Sequence, residues 1–155
     1  MLHVVLVEPE IPQNTGNIAR TCLAAGARLH LVEPLGFAID GAALRRAGMD
    51  YWGQCDVRRW PSLETLRAEA TGGRFFFLTT KARAAYWGAS FADEDYLVFG
   101  RETRGLPESL LAAEAHNLLT IPMQASARSL NLATSVGIVL YEASRQIRKC
   151  CRAKE

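Results

Sequence analysis

Three polar stretches hold the residues best suited to chemistry: Glu8–Arg20 with Asn14, Gly16 and Arg20; Gly100–Pro107 with Glu102 and Gly105; and Pro122–Asn131 with Ser129. Gly16 and Arg20 stand one helical turn apart, so on a helix they share a face, and the glycine leaves room for a bulky substrate beside the arginine stem. A dinucleotide site would need GxGxxG in the first stretch, where only Gly16 is present. That speaks against an NAD-type enzyme and against methyltransferases with a similar glycine-rich first loop. His3, His30 and His116 are scattered without an HExxH spacing, and Cys22, Cys55, Cys150 and Cys151 form no CxxC pair, so no metal is expected. The cysteines read as reduced thiols, two of them packing residues.

The elements around these stretches alternate. His3–Val7 is a compact apolar run, a buried strand. Asn14 is placed to cap a helix from about Thr15 to Ala25, closed by Gly26. A second strand, Arg28–Val32, stops at Pro34, and Asp40 caps a short helix through Ala47 that Gly48 ends. Val57–Trp60 is a weaker strand, and Pro61-Ser62 introduces a helix ending near Gly72-Gly73. Arg74–Leu78 and Tyr96–Phe99 are strong strands, Pro107 starts a short helix, and Leu118–Ile121 is the last strand. In the final helix, about Asn131 to Arg148, Leu132, Val136, Val139, Leu140, Ala143 and Ile147 form one apolar stripe.

Near-continuous apolar strands separated by helices predict an α/β fold, a mostly parallel sheet with helices on both faces. Such a sheet binds ligands beyond the carboxyl ends of its strands, where all three polar stretches fall. No repeat or linker divides the chain, so residues 1–155 are expected to form one domain.

Composition sets outer bounds. With 49% hydrophobic residues in 155, the chain has sequence enough for a full core, which excludes disordered and fibrous classes. Its apolar runs, such as Phe75–Leu78, are strand-sized and too short for a bilayer. Glu8 and Glu10 follow the first apolar run where a signal segment would continue, so a cytoplasmic location is expected. A net charge of +2 does not announce a nucleic-acid binder, but Arg145, Arg148, Lys149, Arg152 and Lys154 cluster late in the chain.

Asn14-x-Gly16-x-x-x-Arg20, Gly100-x-Glu102-x-x-Gly105-Leu106-Pro107 and Ile121-Pro122-Met123…Ser129-Leu130-Asn131-Leu132 resemble the three motifs of the SPOUT RNA ribose methyltransferases. One such motif arises often by chance; all three in order, each after a strand, are specific. The resemblance runs essentially end to end, through Glu33-Pro34-x-Gly36-Phe37, Arg45-Arg46-Ala47-Gly48 and Leu78-Thr79-Thr80-Lys81. In that detail it is similar to the small tRNA (cytidine/uridine-34-2′-O)-methyltransferases, which consist of the catalytic domain alone. Arg101 departs from the pattern, since close relatives often carry proline there. It either adds a phosphate contact or points to solvent.

The resemblance implies a C-terminal trefoil knot that holds S-adenosyl-L-methionine, with no metal. The donor-binding set it implies is Leu78, Gly100, Glu102, Ile121, Ser129, Leu130 and Asn131. A side chain at Gly100 would hold the backbone away from the ligand. Leu78, Ile121 and Leu130 would wall the adenine, or else simply pack the core. Glu102 is expected to accept backbone N–H bonds that hold its own glycine-flanked loop, and Asn131 to cap the last helix. Arg20 is implied as the catalytic residue, with Asn14 orienting its helix; the bland alternatives are a surface arginine and a simple cap. A guanidinium loses its proton only above about pH 12, so two roles stand open for it, a base or a charge that holds phosphate and stabilises an oxyanion.

The implied reaction is methyl transfer to the 2′-hydroxyl of nucleotide 34, C or U, of tRNA, leucine tRNAs foremost. Larger relatives carry an RNA-binding extension, whereas here a homodimer would complete each cleft with basic residues, its first and last helices in contact. Candidates for the RNA are Arg45, Arg46, Arg104 and Arg128, with the late basic cluster, although surface arginines need no special explanation. The rival readings are 2′-O-methylation of another RNA such as rRNA, and a catalytically silent RNA-binding protein of the same fold.

Overall fold

The computed structural model describes residues 1–46 and 49–152. Strands β1 (His3–Val7), β2 (Arg28–Val32), β3 (Val57–Trp60), β4 (Phe75–Leu78), β5 (Tyr96–Phe99) and β6 (Leu118–Leu119) form one sheet in the order β3-β2-β1-β5-β4-β6. Every pairing is parallel, as the near-continuous apolar runs require.

Alternate side chains of each strand leave on opposite faces. Val4 and Leu6 pack with Leu29, Leu31, Leu97 and Phe99 under α1 (Pro12–Ala25) and α5 (Leu132–Arg152). Val5, Val7, Phe77 and Val98 pack on the other face under α3 (Leu63–Glu69) and α4 (Glu108–Ala113). The stripe on α5 is buried as expected, with Val136, Val139, Leu140 and Ala143 fully covered against α1 and the sheet. Truncating Leu140 to alanine would cost about 2–5 kcal/mol.

Local signals behave largely as their chemistry requires. Gly26 closes α1 in the left-handed region at φ 70°. Asp40 Oδ1 accepts the Ala43 N–H at 2.6 Å ahead of α2 (Gly41–Arg46); Ala47 and Gly48, expected to end that helix, lie outside the described residues. Ser62 caps α3 by accepting the Thr65 N–H at 3.1 Å. That helix stops at Glu69, short of Gly72. β6 is shorter than expected: beyond Leu119, Thr120 instead bridges Ala85, and its carbonyl accepts the Tyr86 N–H at 2.9 Å.

Asn14 is not the cap of α1. The helix starts at Pro12, whose fixed φ suits a first turn and whose missing N–H leaves no orphan donor there. Ile11 stands at the cap position without a side-chain bond, and Asn14, 7% exposed, is turned into the protein.

The connection from β1 runs to β2 on one side, and that from β5 runs past β4 to β6 on the other. The crevice at the carboxyl ends of β1 and β5 is therefore a topological switch point, where open α/β sheets bind ligands.

Candidate active site

The site is built where the β1–α1 turn meets the loop after β5. Leaving β1, Glu8 adopts φ 53°, a left-handed conformation that turns the chain toward that loop. There its carboxylate pairs with Arg101, so the residue where relatives often carry proline is tied to a neighbouring loop. The loop itself closes on backbone bonds, Arg101 N–H to Gly105 O at 3.2 Å and Gly105 N–H to Arg101 O at 2.9 Å, with Gly105 at φ 66°.

Glu102 does not hold its own loop, as the sequence suggests; it caps α1 from a distance. Its Oε2 accepts the Glu10 N–H at 2.8 Å and its Oε1 the Ile11 N–H at 3.0 Å. A carboxylate at a helix N-terminus satisfies free donors and complements the helix dipole. Asn14 Nδ2 donates to the same Oε1 at 3.3 Å, and Asn14 Oδ1 accepts from Asn131 Nδ2 at 3.0 Å. Asn131 Oδ1 in turn accepts the N–H groups of Ala133 and Thr134 at 2.9 and 3.2 Å, the expected cap of α5. One polar chain thus joins all three motif stretches.

Around this junction opens a cavity of about 600 Å³, inside the size range of small-molecule sites. Leu78, Gly100, Glu102, Ile121, Ser129, Leu130 and Asn131 all line it, together with Asn14. Gly100 is required by its own loop: a Cβ there would run into the backbone of Gly105 and Leu106. Closeness to a ligand, the reason offered by the sequence reading, is not needed to explain it. Leu130 is 37% exposed, which excludes simple core packing for that side chain, whereas Leu78 belongs to the core and lines the cavity as well.

The cationic candidates divide. Arg104 and Arg128 are exposed at the cavity, while Arg46 is exposed away from it. The side chains of Arg45, Lys149 and Arg152, and all of Lys154, lie outside the described residues. Of the late basic residues, Arg145 is paired with Glu142 and Arg148 is largely exposed. Arg20 is exposed on α1 and does not line the cavity of its own chain. Six residues along the helix from Asn14, it stands about 9 Å further up the axis.

Nor does Gly16 leave room for a substrate. A Cβ there would lie 2.7 Å from the Met49 side chain, so the notch is filled from within. Tyr51, from the same segment, donates its hydroxyl to Gly16 O at 2.7 Å, and the Arg20 guanidinium carbon lies 5.4 Å from its ring centroid. Burial pushes the Tyr51 phenol above its usual range, with the Arg20 charge opposing.

Sequence reasoning missed Met49 and Tyr51, which stand in none of the three motifs. It also gave no site role to Lys81, which lines the cavity and pairs with Glu108. The histidines lie away from the cleft: His3 opens β1 at its amino end, and His30 Nε2 is 2.9 Å from His3 Nδ1. Burial pushes the Cys22 thiol up to about 12 and raises that of Cys55, which suits packing residues rather than nucleophiles.

The model of the SpoU rRNA Methylase family matches residues 1–141. The chain belongs to that family. It is 49% identical over 148 residues to the tRNA (cytidine(34)-2′-O)-methyltransferase of Escherichia coli K12, covering 95% of this chain and 94% of that one. A solved structure described as giving insights into the 2-OH methylation of C/U34 on tRNA superposes with a TM-score of 0.86 at 50% identity, covering 94% and 95% of the two chains. The AdoMet-bound rRNA methyltransferase of Sinorhizobium meliloti has a TM-score of 0.78 at 33% identity, over 93% of this chain and 56% of its own. The family match spans all three motif stretches.

Proposed function

We propose that the chain transfers a methyl group from S-adenosyl-L-methionine to the ribose 2′-hydroxyl of nucleotide 34 of tRNA, leucine tRNAs foremost, working in the cytoplasm as a homodimer. The observation that carries this reading is the convergence of all three motif stretches on one cavity, in a chain that matches curated relatives of that activity almost end to end. The family's trefoil knot belongs to the same reading.

The cavity fits such a donor. Apolar walls at Leu78, Ile121 and Leu130 suit an adenine, the Ser129 hydroxyl and the loop backbone supply polar contacts, and the tight turn at Gly100–Gly105 shapes the floor. When bound, the donor supplies an electrophilic methyl on a sulfonium, so the transfer needs no covalent enzyme intermediate. The protein's part is to align the hydroxyl, exclude water and stabilise the oxygen as its proton leaves.

Glu102 is a positioning residue and not the base, because both its oxygens already accept N–H bonds. Arg20 supplies the fixed charge that holds the adjacent phosphate and stabilises the developing oxyanion. Since it stands outside its own cavity, it serves the cavity of a second copy. The partly exposed outer faces of α1 and α5, with Leu23 and Tyr141 38% and 50% exposed, supply an apolar contact for that copy. Arg104 and Arg128 at the rim, with Arg45 and Arg46, take the phosphates of the anticodon arm.

The test is methyl transfer to transcribed tRNAs, with the product nucleotide located by mass spectrometry and the mass of the active species by sedimentation. Modification at position 34 by a dimer is expected. Transfer to rRNA with none at position 34, or full activity of a monomer, would overturn it. Mixing Arg20→Ala chains with chains unable to bind donor should restore activity in the hybrid dimer.

A further inference from the structure

Tyr51 does not line the cavity, yet two contacts hold it against the turn of α1 that carries Arg20. Its hydroxyl donates to Gly16 O at 2.7 Å. In the helix that same carbonyl takes the N–H of residue 20, so the tyrosine is anchored at the root of the turn that carries the arginine. From there its ring lies beneath the guanidinium, 5.4 Å from centroid to Cζ. Met49 fills the notch that Gly16 leaves, which lets residues 49–51 lie close against α1.

Arginine has a long stem with much rotamer freedom to lose, and no ion pair holds Arg20 among the described residues. A carboxylate would fix it only by occupying its N–H donors and offsetting its charge. An aromatic face restrains a guanidinium through the ring quadrupole and leaves the N–H fork available for a phosphate.

We propose that Tyr51 is a positioning residue for the methyl-transfer reaction, holding the Arg20 guanidinium in its working orientation through the ring face while its hydroxyl locks the ring to the Gly16 carbonyl. This rests on the catalytic reading of Arg20 given above.

Single-turnover methyl transfer at saturating tRNA and donor is measured for Tyr51→Phe, Tyr51→Leu and Tyr51→Met, each alone and combined with Arg20→Ala. Donor affinity and thermal unfolding are recorded alongside. Tyr51→Phe, which keeps the ring, should slow transfer a few-fold at most. Tyr51→Leu should slow it roughly ten- to thirtyfold, as expected for a cation–π contact that the second copy and the bound RNA desolvate, with donor affinity unchanged. In the Arg20→Ala background the same change should have no further effect on the rate. If Tyr51→Leu fails to fold, Tyr51→Met, which removes the ring but keeps an extended side chain, carries the test.

A wild-type rate for the folded ring-less variant while Arg20→Ala is inactive would overturn the proposal and leave the reading of Arg20 intact. Equal slowing in both backgrounds would make Tyr51 a support of the fold alone. A normal rate for Arg20→Ala would remove the reading of Arg20, and this proposal with it.

Discussion

Asn14 and Asn131 meet side chain to side chain at 3.0 Å, across 117 positions of sequence, with Glu102 holding the far side of Asn14 at 3.3 Å. The start of the first helix, the loop after β5 and the start of the last helix are therefore one rigid junction.

Breaking that junction should register in stability and in donor binding together. Glu102→Ala leaves the N–H groups of Glu10 and Ile11 without an acceptor, at a cost of about 1–3 kcal/mol. For a chain of this size each kcal/mol lowers Tm by about 2–4 °C. Asn14→Ala added to Glu102→Ala should cost less than the sum of the two singles, because they share a bond. Additive losses by calorimetry would show that the junction is not one unit.

Two cavity variants should separate loop strain from ligand contact. Gly100→Ala forces a Cβ into the Gly105–Leu106 backbone, so it should lower Tm and abolish donor binding at once. Leu130→Ala removes an exposed wall, and should keep Tm within about a degree while weakening donor affinity about tenfold. Unchanged affinity in the second variant, measured by titration calorimetry, would place the donor elsewhere.

At Arg20, alanine should slow methyl transfer on the order of a hundred- to a thousandfold, with donor affinity intact. Arg20→Lys keeps the charge and loses the planar fork, so a point-charge role predicts partial rescue and bidentate phosphate holding predicts almost none. Near-normal turnover by Arg20→Ala at saturating tRNA would reduce the residue to a binding contact.

Acid should destabilise the protein through its buried imidazoles. Trp60 Nε1 donates to His30 Nδ1 at 2.9 Å, which leaves the His30 proton on Nε2 to be given to His3 Nδ1. The His3 proton then sits on Nε2, 3.1 Å from a Glu94 carboxylate oxygen. Burial first, then the charges of neighbours, pushes His30 down to about 3, and burial lowers His3 as well. Because the unfolded chain titrates near 6.5, this stabilisation is complete above that pH and is lost as the pH falls from about 6.5 toward 3. Urea unfolding between pH 7.5 and 4.5 should show the slope, and His30→Gln should reduce it. An equal slope in the variant would assign the effect to other groups.

The order of strands and helices and the stripe on α5 were legible in the residues, and the resemblance of the three motifs pointed to most of the cavity's site residues, though not to Lys81. Both elements and motifs are written in neighbouring residues: the short Val, Leu and Phe runs at His3–Val7, Phe75–Leu78 and Tyr96–Phe99 are buried strands, and Leu132 to Ile147 repeat at the period of one helix. What each polar residue does there was not legible. Asn14 has the composition of a cap and spends its side chain on Glu102 and Asn131 instead, because Pro12 already starts the helix and a carboxylate 92 positions from Glu10 takes the cap's place. Gly16 and Gly100 carry no mark of the atoms that crowd them, the Met49 side chain and the Gly105–Leu106 backbone. The place of Arg20 outside its own cavity, over the ring of Tyr51, likewise follows from how α1 lies on the sheet. Periodicity fixes which face of an element is buried, and only the packing of distant segments decides which polar groups find one another across it.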